Sequence, residues 1–319
     1  MLAVRPPNLA VELCNDQEAT LVGALAAWTV IRGTAWLRGR TASVVAPGLS
    51  WGFILLAAPA LAPVYAGYLL LATRTGKNWR QLGLAAALTA AVLTPWIVSN
   101  RLVLGEWIPV RSNLGLELRV STADEARIGA TDNVVHGAMP LYHPLFNVSI
   151  TEAISRNGEV NVYSQMRRDA LAWIAGHPRR FFELTMERTR RFWLPERARM
   201  LDIVFVWASL LFAAGGVFLL LREDRLAGYS VLCVVVLYPL LYYFLQSYER
   251  YRYPIEWLMV LCAAHAALWR FEGLHRWFEK QRYRTARCDQ RRVFGNPRDS
   301  CVSLVIPLSN AAMDANERE

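Results

Sequence analysis

LGLAAALTAAVLTPWIV at residues 82–98 and IVFVWASLLFAAGGVFLLL at residues 203–221 decide the fold. Neither stretch carries a charge. At a rise of ~1.5 Å per residue both come close to the ~30 Å thickness of a bilayer's hydrocarbon core. Between them lie residues 100–200, a mixed polar and apolar block. A polar block held between two spanning segments faces one side of a membrane or the other, and that side governs the rest of the reading.

The chain is 54% hydrophobic, with twelve Trp and a net charge of +9, and its mean hydropathy is positive. An average soluble chain is roughly 45–50% apolar. The apolar residues here sit in blocks, which predicts a polytopic, all-α membrane protein. The basic residues lie between the blocks and in the tail and form no nucleic-acid motif, so no nucleic-acid partner is expected. The five cysteines, Cys14, Cys233, Cys262, Cys288 and Cys301, show neither a CxxC pair nor zinc spacing. No signal peptide is evident ahead of the first apolar run, near Thr20.

The first expected crossing is residues 20–37, followed by Arg38 and Arg40. Residues 43–73 carry no charge and are too long for one crossing. Pro59 and Pro63 divide them, which predicts two short helices folded back at residues 57–62. One long kinked helix is the alternative. Arg74, Lys77 and Arg80 form a basic loop before residues 82–98. Beyond the polar block, residues 203–221, 227–245 and 253–269 complete about seven transmembrane helices. The domains expected are N-terminal membrane helices over 1–99, an extracytoplasmic domain over 100–201, C-terminal membrane helices over 202–269 and a basic cytoplasmic tail over 270–319. Lys and Arg in short loops mark the cytoplasmic side. With the tail in the cytoplasm, every basic loop agrees on one orientation, and the block lies outside.

Within the block, the Gly and Pro of residues 105–117 read as turn and extended chain. Residues 123–144 show no helical apolar period. Residues 149–176 read as one helix, broken by His177-Pro178, which opens another. Residues 179–193 interleave arginines with aromatic residues, a pattern suited to the membrane interface. That helix either meets anionic lipid or a lipid-linked phosphate, or is an anchor whose arginines snorkel.

An ordered series runs through the chain: Pro95-Trp96-Ile-Val-Ser-Asn100, Gly105, Pro109, Arg111-Ser-Asn113-Leu-Gly115, His177-Pro178-Arg-Arg-Phe181, Phe192-Trp193 and Arg250-Tyr-Arg-Tyr-Pro254. Gly48-Leu-Ser-Trp51-Gly52 and Glu18 also fit. In this order the residues resemble the dolichyl-phosphate-mannose–protein mannosyltransferase-like bacterial membrane glycosyltransferases, of GT-C architecture, over roughly residues 6–269. The resemblance implies an enzyme of the bacterial inner membrane. It would move a sugar from a polyprenyl-phosphate donor to a glycan, lipid or protein acceptor on the outer face. It also implies an acidic general base in the first extracytoplasmic loop. That loop, with the family's first several helices, is expected to precede this chain, so the sequence offers no catalytic carboxylate. Ser99 stands where the family's Pro-Trp-x-x-Arg-Asn pattern has arginine.

Arg250, Tyr251 and Arg252 sit at the outer end of an expected crossing. The planar fork of arginine suits phosphate. Taken alone the group fits either phosphate contact or interfacial anchoring; the resemblance favours contact with the donor phosphate. Glu249 and Glu256 flank the arginines as potential partners, and Glu256 inside an apolar helix needs a partner or a cavity. Arg111, Asn113 and Glu117 are candidates for an acceptor or sugar cleft, with loop hydration the other reading. His136 and His143 are a weak metal pair, and no metal site is expected. Asn147-Val-Ser149 matches a short glycosylation sequon. There is no Walker-type loop, GxSxG or Rossmann fingerprint, and no cofactor is expected. The runner-up function is a non-catalytic membrane protein that binds lipid-linked sugar or a partner subunit. A transporter ranks last, since no internal repeat is visible.

Overall fold

The computed structural model describes residues 17–40, 43–194, 200–246 and 251–271. Every element among them is helical: α1 (Gln17–Leu37), α2 (Val45–Ala57), a 3-10 turn (Pro59–Leu61), α3 (Ala62–Arg74), α4 (Trp79–Leu104), α5 (Leu114–Ser121), α6 (Ala130–His136), α7 (Met139–Tyr142), α8 (Val148–Asn157), α9 (Glu159–Gly176), α10 (Pro178–Trp193), α11 (Met200–Glu223), α12 (Arg225–Leu237), α13 (Leu240–Phe244) and α14 (253–271). The chain divides into a compact unit over residues 1–266 and a second over 267–319. Of the second, only the last turn of α14 is described.

By length and composition, four helices among the described residues can cross a membrane: Ala19–Leu37, Trp79–Leu104, Ile203–Glu223 and Arg225–Phe244. The last runs through Tyr238 and Pro239, both with helical backbone angles, so α12 and α13 form one bent rod. The expected span at residues 82–98 is longer at both ends. Asn78 opens α4 with a capping box to Gln81, and the helix continues through Pro95 to Leu104. Thr94 Oγ1, just before that proline, donates to the Ala90 carbonyl at 2.8 Å.

Residues 43–73 divide near their prolines, into α2 and α3, each of 13 residues. At ~1.5 Å per residue each is about 20 Å long, short of the ~30 Å core. Their direction follows from packing. Gly48 lies against Ala85 and Leu88, and Gly52 against Val92, so α2 and α4 run parallel and α3 must be the return limb. Thr89 Oγ1 donates to the Gly48 carbonyl at 2.9 Å. That uses its hydroxyl proton, so Tyr65 is the donor in the 2.9 Å Tyr65–Thr89 bond. One threonine thereby ties α2, α3 and α4 together. Tyr68, fully buried on α3, fills the space opposite Gly33 of α1.

The two ends of this unit differ in chemistry. At one end Arg38, after α1, pairs with Asp224 in the α11–α12 link, and Asp224 also caps α12 through the Ala227 amide. His265 of α14 lies 3.1 Å from Glu223, the last residue of α11. Lys77 of the α3–α4 loop sits over the Trp36 ring at 5.9 Å. At the other end Gly23 of α1 approaches Pro254 at the start of α14, and the polar block docks there.

The block departs from the sequence expectation in three places. Residues 105–117 are not all turn and extended chain, because α5 begins at Leu114. Residues 123–144 contain the short helices α6 and α7. Residues 149–176 are two helices, since Gly158 adopts φ +81°, a left-handed conformation that breaks the helix and that glycine adopts readily. Helices α5 and α9 cross at Gly115, where an added Cβ would overlap the Tyr163 carbonyl. Overpacking of this kind typically costs about 1–3 kcal/mol. Gly115→Ala is therefore expected to destabilise the chain by about that much, read as a lowered thermal midpoint in lipid nanodiscs, whereas Gly176→Ala, with open space around it, is expected to leave the midpoint almost unchanged.

Candidate functional site

Helix α10 brings the block to the helix bundle. Pro178 occupies its first turn, where a missing N–H does no harm. Arg179 and Arg180 pair with Glu183, and Arg190 and Arg191 with Glu187. The hydrogen bond from Arg190 holds the Glu187 carboxyl below its usual range. Opposite these pairs, Leu184, Arg188 and Phe192 fall four residues apart on one buried face.

Arg188 is wholly buried (0% exposed). It donates from Nη1 to the Phe244 carbonyl at 3.0 Å and from Nη2 to the Ser121 carbonyl at 2.6 Å. No carboxylate pairs with it among the described residues. Burial pushes its pKa down to about 10, with Arg180 adding to the shift, so at neutral pH the charge is buried intact. Beside it, the buried Asn133 amide makes four bonds. It donates to the Val120 carbonyl and to Gln246 Oε1, and it accepts from the Arg127 and Ala138 amides. The Gln246 amide donates to Ser121 Oγ at 2.8 Å. The end of α13 is thus bonded to α5, α6 and α10 together.

The candidate donor-phosphate residues follow directly. Arg250 lies outside the described residues. Tyr251 stacks on Tyr242 with ring centroids 4.4 Å apart. Arg252 donates from Nε to Glu256 at 2.6 Å, and from Nη1 to the Phe192 and Trp193 carbonyls at 3.2 and 3.3 Å. The flanking carboxylate is its partner, and the guanidinium caps the C-terminal end of α10, where a cation is favoured. Trp193 Nε1 donates to the Tyr243 hydroxyl at 2.7 Å, and Phe192 packs between Tyr242 and Tyr243. Of the arginines of α10, Arg188 is a buried tie and Arg179, Arg180, Arg190 and Arg191 pair with acids along the helix.

The candidate acceptor residues lie elsewhere in the block. Trp96 Nε1 donates to the Val110 carbonyl at 3.0 Å and Asn100 Nδ2 to the Ile108 carbonyl at 2.9 Å. These two motif residues fold residues 105–112 back over the end of α4. The folded loop and α9 enclose a cleft of about 180 Å³. Arg111 lines it, with Glu106, Trp107, Tyr163, Ser164 and Arg167. Asn113 opens α5 and donates to Glu117 at 3.4 Å; neither is a lining residue of the cleft, although Glu117 raises the Tyr163 pKa from nearby, after burial and Glu159. Ser112 bonds Glu159 across the cleft's edge. Arg167, Glu106 and Ser164 did not stand out in the sequence, and Tyr163 read only as part of an apolar face. No periodic signal joins a loop to a helix 50 residues on.

His136 lies 3.3 Å from Asp132. His143 accepts from the Leu145 amide, and burial lowers its pKa. No group of metal-binding side chains is present among the described residues. Asn147 of the sequon caps α8 and donates to the Leu141 carbonyl at 2.8 Å, so its amide is already bonded.

The chain matches no family model, no curated protein and no solved structure.

Arg188→Met leaves the Ser121 and Phe244 carbonyls without their donor. At about 1–3 kcal/mol for each buried group left unsatisfied, thermal unfolding in nanodiscs should occur well below that of the parent chain. Arg179→Met, on the exposed side of the same helix, should shift it by about 0.5 kcal/mol or less.

Proposed function

We propose that this chain is a membrane glycosyltransferase of the GT-C kind, with no general base assigned among its described residues, taking a sugar from a polyprenyl-phosphate donor to an extracytoplasmic glycan, lipid or protein acceptor. Seven membrane-traversing elements, α1 to α4, α11, α12–α13 and α14, carry residues 100–201 on the outer face of a bacterial inner membrane and the tail in the cytoplasm.

The observation that best supports this is the separation of the two ends. Arg38, Lys77 and the α11–α12 link flanked by Arg222 and Arg225 lie at one end of the unit, the polar block at the other. Lys and Arg mark the cytoplasmic side, so the block takes the outer one. The α2–α3 pair leaves the basic side and returns to it, so the sidedness is the same whether the pair crosses fully or turns within the bilayer. Ala58 and Leu61 at their turn are buried, the condition under which non-helical backbone is tolerated at membrane depth. The motif residues Trp96, Asn100, Phe192, Trp193 and Arg252 all lie at the junction of block and bundle, where a lipid-borne phosphate and an outer acceptor would meet.

One observation favours a second reading, a non-catalytic binder of lipid-linked sugar: the Arg252 guanidinium is engaged by Glu256 and by two carbonyls. The two readings separate in one experiment. The chain in nanodiscs is given a labelled polyprenyl-phosphate hexose and a glycan acceptor. Label entering the acceptor with release of polyprenyl phosphate is the outcome expected of the enzyme, and Arg252→Gln should then reduce it. Retention of the lipid-linked sugar without release is the outcome of the second reading. Absence of both retention and transfer contradicts both.

A further inference from the structure

The cleft between the 105–112 loop and α9 has the composition of a ligand site, and its features point to one ligand class. Its walls are fixed. Trp96 and Asn100 pin the loop on one side. On the other, α5 and α9 are in contact at Gly115 and Tyr163, with no room for a single added methyl. The cleft is therefore preformed, as ligand pockets usually are. Its volume of about 180 Å³ is below the ~300–1,000 Å³ of pockets for drug-sized molecules, so it suits one ring and not an extended chain.

The lining combines three chemistries. Trp107 at the rim is 66% exposed; Arg101 covers one side of its ring at 5.7 Å, and an exposed indole offers a flat apolar surface for stacking. Ser112, Ser164 and Tyr163 supply hydroxyls. Arg111 and Arg167 supply two guanidiniums against one lining carboxylate, Glu106. Two further carboxylates act on Tyr163 from outside the lining, Glu117 and Glu159, and Glu159 is bonded to Ser112. Arg167 has no ion-pair partner among the described residues, although five other arginines, on α8 and α10, pair within their own helices. An arginine with its fork unoccupied, above a hydroxyl-lined, aromatic-rimmed cleft, is suited to an oxyanion in bidentate geometry.

We propose that this cleft binds a single hydroxyl-rich sugar ring carrying an oxyanion, either a carboxylate or a phosphate, with the ring against Trp107 and the anion held by Arg167. The inference rests on the proposed function only in treating the block as a glycan-handling surface. It requires neither transfer nor a lipid-linked donor. Arg167 is then the specificity-determining residue, and an acceptor or substituent without the anion binds weakly.

The test uses the full chain in nanodiscs and direct binding by calorimetry. The probes are galacturonic acid and glucose 6-phosphate as the two charged rings, glucose as the neutral ring and inorganic phosphate as the anion alone. One charged ring is expected to bind about tenfold or more tightly than glucose and than phosphate, and whichever binds identifies the anion. Arg167→Gln should abolish that preference, lowering affinity for the charged ring about tenfold to a hundredfold while leaving glucose binding unchanged. Arg167 is exposed, so the substitution should leave the thermal midpoint intact, and Trp107→Ala should weaken both rings alike. Equal binding of charged and neutral rings, binding of phosphate as tight as the sugar phosphate, no binding of any ring, or a preference that survives Arg167→Gln would each overturn the proposal. Failure of the transfer assay with the charged-ring preference intact would count against the enzyme and not against this site.

Discussion

A guanidinium with no carboxylate partner among the described residues holds the polar block to the helices that carry it. Arg188 spans from the end of α5 to the end of α13 through two carbonyls, and Asn133 and Gln246 complete the tie. Removing a charge from water is expensive, and buried ionic groups are weak sources of net stability. Their best-attested use is to enforce one arrangement over others. That account fits here. Two helix ends whose last carbonyls would otherwise be unpaired are brought to a single donor, and no purely apolar residue could satisfy them.

The consequence is directional. Residues 244–246 are fixed by this tie, and Tyr251 and Arg252 follow about five residues later in the sequence. Arg252 then caps α10 through the Phe192 and Trp193 carbonyls, while α10 itself supplies Arg188. Block and bundle are therefore joined by two arginines pointing in opposite senses, one from the block into α13 and one from α14 into the block's last helix. Aromatic stacking among Phe192, Tyr242 and Tyr251 fills the space between them. The cleft at Arg111 and Arg167 sits apart from this joint, fastened instead to the end of α4 by Trp96 and Asn100.

The parts of this arrangement that were legible in the sequence are those written in local pattern. The charge-free runs in α4 and α11 announce themselves by length and hydropathy. Pro59 and Pro63 mark the division of α2 from α3, and His177-Pro178 marks the start of α10, because proline acts on its own backbone and on the residue before it. What local pattern could not carry was less visible. Gly158 divides α8 from α9 through one backbone angle. Arg188 looked like its surface neighbours, although its spacing from Leu184 and Phe192 places it on the buried face. The cleft pairs Arg111 with Arg167, and a loop-to-helix contact of that range has no signature in periodicity.

The central claim is that the polar block and the basic end of the bundle lie on opposite sides of a membrane. Impermeant thiol labelling in whole cells tests it directly, in a chain freed of its own cysteines. Leu145 is 82% exposed at a tip of the block, and Lys77 lies in the α3–α4 loop at the basic end. Leu145→Cys is predicted to label in intact cells and Lys77→Cys only after permeabilisation. Labelling of Lys77→Cys in intact cells with Leu145→Cys protected, or labelling of both from the same side, would contradict the account.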